Sequence, residues 1–251
     1  MARMQVAIGV LAALASLFLH EAAAQNCAAL TARFQPKLGS GYKSSVIATG
    51  LRSPRHIVVD SAGNLLVAEG GSGSVRRLVL KDNGDSVCVE SNTALTNDRS
   101  VSPGETYQGP SHSARSNERQ TNHGISLSAD GKTLFTSSLS SVTAYAYDAA
   151  AGTVGTGKAI ITGMSNSGTH PTRAILVSKS SPDTILVARG SNGNIDTATT
   201  SLSTARSVIK TFSLSKVMSS PTDFASGGET LGWGLRNIVG MGEDPIYGGV
   251  V

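Results

Sequence analysis

A short unit of strand, turn and strand recurs along the chain and restricts the folds that it can adopt. Its clearest copy covers residues 121–138, where Asp130-Gly131 separates two short runs of β-forming residues. Asp-Gly between two such runs is the strongest short-range signal for a β-hairpin. The chain is therefore expected to be a series of hairpins.

Related units cover residues 57–80, 125–147 and 174–212, and a fourth begins at 238–240 and turns at 243–245. Units of this kind at roughly 50-residue spacing predict an all-β fold, a β-propeller of which about three and a half blades are present. A β-sandwich is the alternative, although its strands would recur about every 8–12 residues. A further strand is expected at 46–50, and no helix is expected after the N-terminal segment.

Residues 1–24 have the anatomy of a secretory signal peptide. Arg3 precedes an apolar run at residues 6–19, and three alanines at 22–24 suit a cleavage site before Gln25. A short membrane anchor is the alternative. We expect a secreted, extracellular protein with no membrane partner. In an oxidising compartment, Cys27 and Cys88 can form a disulfide that ties the N-terminus to the first blade.

The charge pattern argues against nucleic-acid binding. The formal net charge is +4 and only 15% of residues are charged. The sequence has neither a Lys/Arg run nor basic residues interleaved with aromatics, which are the usual features of nucleic-acid binding. No nucleic-acid partner is therefore predicted.

Residues 101–120 interrupt the repeat and resemble nothing around them. Only Val101 is a large aliphatic residue, and removing the segment restores a spacing of roughly 50 residues. Two interpretations remain open, a retained in-frame intron and a disordered loop. His112 lies in this segment and is given no role.

Polar groups lie just outside the ends of several predicted strands, where propeller loops line the mouth of the central channel. Converging guanidinium groups suit a ligand with several carboxylates, and a histidine among them can accept a proton from a substrate hydroxyl. The candidate residues are Arg55, Asn122, His123, Arg189, Arg236 and Asn237.

Taken together, four stretches resemble the pyrroloquinoline-quinone (PQQ)-dependent sugar dehydrogenases, in particular the secreted fungal pyranose dehydrogenase or L-sorbosone dehydrogenase-like branch. The resemblance covers residues 50–251 except 101–120 and implies a six-bladed propeller in the complete protein. The stretches are G-L-R-S-P-R-H-I-V-V-D, N-H-G-I-S-L-S-A-D-G-K-T-L-F-T-S-S, R-A-I-L-V-S…D-T-I-L-V-A-R-G-S-N-G-N-I-D and W-G-L-R-N-I-V-G-M-G-E-D-P.

The resemblance also implies an activity, oxidation of a sugar by hydride transfer to PQQ over the central channel, beside a calcium ion. His123, with Asn122 directly before it, is similar to the family's catalytic base. Arg236-Asn237 matches an R-N-x-x-G turn that contacts the cofactor. Arg55 and Arg189 resemble further polar positions of the family and are also expected to bind the cofactor. The metal ligands are unknown and are expected largely beyond Val251.

The implied partners are a sugar substrate, either an aldose or a 2-keto sugar such as sorbosone or a pyranose, and an external electron acceptor such as a cytochrome or another redox protein. Two alternatives stay open. A gluconolactonase-like lactone hydrolase could hold a metal with Glu69 and Asn122, and a non-catalytic or inactive propeller fragment would have no such site.

Overall fold

The computed structural model describes residues 27–84, 86–96, 121–164, 168–246 and 248–250. The predicted signal peptide at 1–24 and the insert at 101–120 lie outside the described residues, so both stay predictions. Fourteen strands within these ranges form three sheets of mainly antiparallel strands.

Each sheet contains a row of four antiparallel strands that follow the order of the sequence from the inner edge to the outer edge. We refer to each sheet as a blade. The second blade is extended by a short hairpin strand, β8, paired with β7 and by β13, which pairs in parallel with β9. The first blade is β1 (Pro54–Val59), β2 (Leu65–Glu69), β3 (Ser74–Asp82) and β4 (Val87–Ala94); the second is β5 (Ile125–Leu127), β6 (Thr133–Ser137), β7 (Val142–Asp148), β8 (Thr153–Val154), β9 (Lys158–Thr162) and β13 (Thr222–Asp223); the third is β10 (Ile175–Val177), β11 (Thr184–Arg189), β12 (Val208–Ser213) and β14 (Glu229–Trp233).

The predicted Asp-Gly hairpin is present between β5 and β6. Gly131 has a φ of 69°, a left-handed conformation that glycine adopts without a steric penalty. The Asp130 carboxylate accepts hydrogen bonds from the Ser128 hydroxyl at 2.6 Å and the Lys132 amide at 3.0 Å. These local interactions explain why the sequence alone was sufficient to locate the turn.

The blades pack side by side through their inner strands, because β5 contacts β1 on one side and β10 on the other. The amide of Val177 donates to the Ser126 hydroxyl at 3.0 Å, which joins β10 to β5. One apolar cluster around Leu66 and Leu134 fills the space between the first and second blades, and a larger one around Phe135 and Ile185 fills the next space. This arrangement confirms the all-β propeller class, while the count of six blades stays a prediction.

Several local predictions were wrong. Residues 46–50 form no strand, since no described strand pairs with them, and residues 238–240 form none either. Among the described residues beyond β14, the only β pairing is an isolated bridge between Glu243 and Val250. A helix after the N-terminal segment was not expected, yet α1 (Leu214–Ser219) follows β12, and the Ser213 hydroxyl caps it by accepting from the Lys216 amide.

The predicted disulfide joins Cys27 to Cys88 on β4, with 5.4 Å between the two Cα atoms. The chain before β1 is therefore attached to the outer strand of the first blade. In the part of the chain that the structure describes, no helix combines the length and apolar character needed to cross a bilayer.

Candidate functional site

Four short segments meet at one end of the inner strands, and we refer to them as the mouth segments. Three of them, residues 52–56, 121–124 and 170–174, lie at or just before the starts of β1, β5 and β10, and the fourth is 235–240, after β14. The Ile125 amide donates to His56 Nδ1 at 3.3 Å, which brings the starts of β1 and β5 together. The first three segments follow one another around the inner edge of the blades.

Asn122 joins the second mouth segment to the third. Its Nδ2 donates to the Pro171 carbonyl at 2.7 Å, and its backbone amide donates to the Ser137 carbonyl at 2.9 Å. Its Oδ1 is buried and has no hydrogen-bond partner among the described residues. Buried acceptors normally have partners, so this oxygen is available to a ligand or water.

Asn237 joins the fourth mouth segment to the third. Thr172 Oγ1 donates to Asn237 Oδ1 at 2.7 Å, and the Ser191 amide donates to the Arg236 carbonyl at 2.8 Å. Asn122 and Asn237 therefore bind adjacent residues of a single segment. The structure thus brings the Asn-His and Arg-Asn motifs to the same end of the propeller.

Backbone packing between these segments depends on glycine. A Cβ added at Gly124 would lie 2.5 Å from the Arg173 carbonyl oxygen, and one at Gly190 would lie 2.6 Å from that of Arg236. A Cβ on Gly70 would lie 2.9 Å from the Asn122 carbonyl oxygen. Each of these glycines lets a mouth segment approach the backbone of a neighbouring segment or strand end.

His123 is almost completely buried, with 3% of its surface exposed, and its Nδ1 has no hydrogen-bond partner among the described residues. Burial, followed by the electrostatic effects of His56, Arg55 and Arg173, lowers the pKa of His123 to about 4. A neutral imidazole with a free ring nitrogen can accept a proton at neutral pH.

His56 lies beside it, at the start of β1, and was not assigned a role from the sequence. Its Nδ1 accepts the Ile125 amide, so the neutral ring carries its proton on Nε2. Burial lowers the pKa of His56. His56 and His123 are therefore both neutral near pH 7.

The three predicted arginines have different environments. Arg55 is exposed on β1, and its positive charge is close enough to His123 to lower the pKa of His123. Arg236 is also exposed, and it donates to Asn194 Oδ1. Arg189 is buried at the end of β11 and donates to the Ala205 carbonyl at 3.3 Å, inside the third blade. Arg55 and Arg236 are thus the guanidinium groups best exposed to a ligand.

Arg173 is a buried cation that is not among the six candidate residues, although the sequence places the stretch 170–173 with the other polar stretches at the mouth. None of its surface is exposed, and burial followed by the charge of Arg189 lowers the pKa of Arg173 to about 9. One signal was present in the sequence. Arg173 lies two residues before Ile175 at the start of β10, as His123 lies two residues before Ile125 at the start of β5.

The metal site of the lactone-hydrolase alternative is not supported. Glu69 accepts the Arg52 amide and the Ser72 hydroxyl, each at 2.6 Å, within its own blade. Across the described ranges, no group of three or more His, Cys, Asp and Glu residues is placed to hold a metal ion.

Fold and site together define a class, a β-propeller with a polar, positively charged mouth in which two buried acceptor atoms, Asn122 Oδ1 and His123 Nδ1, have no described partner. The sequence model of the TrAA12-like family matches residues 36–251. The chain belongs to this family.

Two named relatives are similar to most of this chain. A PQQ-dependent sugar dehydrogenase of Hypocrea jecorina (strain QM6a) is 36% identical over 235 residues, which are 90% of this chain and 49% of the relative. A PQQ-dependent pyranose dehydrogenase of Coprinopsis cinerea is 32% identical over 213 residues, 84% of this chain and 26% of the relative. The chain thus spans half or less of the length of these relatives.

Solved structures are similar as well. A calcium structure of the Trichoderma reesei Carbohydrate-Active Enzymes Family AA12 protein has a TM-score of 0.73 and 36% identity, covering 86% of this chain and 49% of that one. The holo PQQ domain of Coprinopsis cinerea pyranose dehydrogenase has a TM-score of 0.73 and 31% identity, covering 87% of this chain and 48% of that one.

Proposed function

We propose that the full-length protein oxidises a sugar, with PQQ as the hydride acceptor. The observation that carries the proposal is the pair of hydrogen bonds that attach Asn122 and Asn237 to Pro171 and Thr172. Because of these bonds, one ligand at the mouth can contact both motifs. The relatives named as PQQ-dependent sugar and pyranose dehydrogenases support this reading.

The residues at the mouth suit PQQ, which carries several carboxylates. Arg55 and Arg236 are exposed cations that can pair with carboxylates, and a guanidinium does so with two parallel hydrogen bonds. The Asn122 and His123 side chains keep buried atoms without a described partner. Asn122, Arg236 and Asn237 are proposed to hold the cofactor, with Arg55 beside them and Arg189 supporting the third blade.

His123 is proposed as the catalytic base. Its neutral imidazole accepts the proton of the sugar hydroxyl, and burial keeps the ring neutral at neutral pH because it disfavours the charged imidazolium. PQQ, when bound, supplies the redox chemistry by taking up the hydride. The mouth segments contribute orientation, because their backbones are joined by hydrogen bonds and close glycine contacts.

Calcium is proposed only as an ion bound beside the cofactor. One similar structure is a calcium structure, but the described residues contain no acidic or histidine cluster for an ion. Calcium prefers oxygen ligands, including backbone carbonyls. We propose that its ligands come largely from the protein beyond Val251, and no step assigned to this chain depends on it.

Location and partners complete the proposal. Residues 1–24 direct secretion, and the disulfide between Cys27 and Cys88 suits an oxidising, extracellular environment. The substrate is an aldose or 2-keto sugar, such as a pyranose or sorbosone. The electrons taken from the sugar are transferred to an external acceptor, either a cytochrome or another redox protein.

Reconstitution tests this function directly. The full-length protein with PQQ and calcium should reduce an artificial electron acceptor when an aldose or 2-keto sugar is added. His123→Ala should lower turnover by about 10²–10⁴-fold while PQQ stays bound. Lactone hydrolysis without added quinone, and no sugar-dependent reduction, would instead favour the hydrolase alternative.

A further inference from the structure

Arg173 is held entirely by backbone carbonyls. Its guanidinium donates to the carbonyl oxygens of Thr172 at 2.7 Å, Met164 at 2.8 Å, Leu139 at 3.2 Å and His170 at 3.3 Å. None of the ion pairs found among the described residues includes it. Burying a cation without a carboxylate is costly, so these four acceptors must replace its hydration.

The four acceptors belong to two different blades. Leu139 and Met164 lie in the second blade, whereas His170 and Thr172 lie in the third mouth segment. The backbone of Arg173 makes a further connection, because its carbonyl accepts the Ser137 hydroxyl at 2.6 Å. Side chain and backbone therefore both attach the third mouth segment to the second blade.

That segment carries the two residues that join the motifs of the candidate site. The Pro171 carbonyl accepts from Asn122, and Thr172 donates to Asn237. We propose that Arg173 is a positioning residue for the ligand site, whose guanidinium holds residues 170–173 so that Asn122 and Asn237 face one ligand. The identity of that ligand, PQQ, rests on the proposed function.

The charge of Arg173 has a second consequence for His123. The groups that face this imidazole are His56 and Arg55 from β1 and Arg173 from the third mouth segment, and all three lower its pKa. Arg173 therefore combines a geometric effect with an electrostatic one. Arg173→Lys keeps the charge but loses the planar fork, whereas Arg173→Gln loses both.

Lys210 provides a matched control in the same chain. It is also buried, and its ammonium donates to the carbonyls of Phe224, Ala225 and Gly227 at 2.8–3.0 Å. These contacts involve no mouth segment. Lys210→Gln therefore removes a buried, carbonyl-bound cation without touching the candidate site.

The experiment compares Arg173→Gln, Arg173→Lys and Lys210→Gln in the full-length protein. Side-chain amide NMR signals of Asn122 and Asn237 report the two connecting hydrogen bonds. We expect both Arg173 variants to shift these signals and Lys210→Gln to leave them in place. PQQ affinity should fall by about tenfold for Arg173→Gln and by less than about threefold for Lys210→Gln.

A histidine titration separates the two effects of Arg173. The pKa of His123 should be higher by about 0.5–1 in Arg173→Gln, because a nearby positive charge has been removed, and should stay low in Arg173→Lys. If Arg173→Gln does not fold, Arg173→Lys still tests whether the guanidinium positions the mouth. In that variant the Asn122 side-chain amide signal must shift.

A purely structural role gives a different result. In that case Arg173→Lys, Arg173→Gln and Lys210→Gln would lower thermal stability while the Asn122 and Asn237 signals and PQQ affinity stayed as in the wild type, and the proposal would be overturned. If wild-type protein binds no PQQ, the proposed function fails. The amide signals still decide the role of Arg173.

Discussion

Thr172 Oγ1 donates a 2.7 Å hydrogen bond to Asn237 Oδ1, although the two residues are far apart in the sequence. Thr172 follows Pro171, whose carbonyl binds Asn122. The Asn-His and Arg-Asn motifs are therefore two sides of a single mouth. This relationship is the structural basis for assigning them to one ligand.

Removing this bond should weaken cofactor binding without unfolding the protein. Thr172→Val keeps the side-chain shape but leaves Asn237 Oδ1 without its donor. We expect PQQ affinity to fall about 3–10-fold, the usual range for one neutral hydrogen bond. Thr93→Val, on the exposed outer strand β4, is the control. Equal affinities for both variants would count against the link.

The pH dependence of turnover should reveal the buried base. His123 must be neutral to accept a proton, and its pKa of about 4 lies below the ordinary value near 6.5. Turnover should therefore stay constant from pH 7 to pH 5 and fall only as the pH drops through about 4. An acid limb near pH 6.5 in the kcat profile would show that the base is an ordinary, solvated histidine.

Close backbone packing at the mouth predicts a strong effect at Gly124. In Gly124→Ala, the new methyl group would lie 2.5 Å from the Arg173 carbonyl oxygen and 3.0 Å from the Ile175 amide nitrogen. Neither backbone atom can move without shifting β10, so we expect a loss of about 1–3 kcal/mol in unfolding free energy.

The control for this substitution is Gly249→Ala, because an added Cβ there meets no atom within 4 Å. Its unfolding free energy should change by less than about 0.5 kcal/mol. Denaturant unfolding of both variants checks the prediction. Equal stability of the two would mean that the β5 and β10 starts are farther apart than described.

The first and second blades are joined by a buried hydrogen bond that can be tested separately. Tyr147 donates its hydroxyl proton to Asp60 Oδ2 at 2.6 Å. Tyr147→Phe should destabilise the protein by about 1.5–3 kcal/mol, because the acceptor is a charged group. Tyr42→Phe, at an exposed position, should be neutral. Thermal unfolding of both variants checks this prediction. Equal unfolding midpoints for the two variants would contradict it.

Sequence patterns located the inner parts of the blades well because those signals are local. The turns at Asp60 and Asp130 have hydrogen bonds within a few residues, and strands β2, β6 and β11 are buried runs of β-forming residues. The outer strands β4 and β14 are largely exposed, so no alternation of buried and exposed residues marks them.

The site was predictable only in part. His123 and Asn122 are candidates because a polar pair directly precedes a strand, and Arg236-Asn237 is a candidate because its turn matches a family pattern. The proposed positioning role of Arg173 depends on the hydrogen bonds that its guanidinium donates to the carbonyls of Leu139 and Met164. Backbone acceptors carry no sequence signal, so only the folded arrangement shows why that arginine is buried.

We propose that residues of successive blades contact one PQQ molecule. Equilibrium titration of PQQ into the full-length protein with calcium, for the wild type, Asn122→Ala and Arg236→Ala, tests it most directly. We expect one site per chain in the wild type, with an affinity at least about tenfold lower in each variant. Absence of PQQ binding by the wild type, or unchanged affinity in both variants, would contradict it.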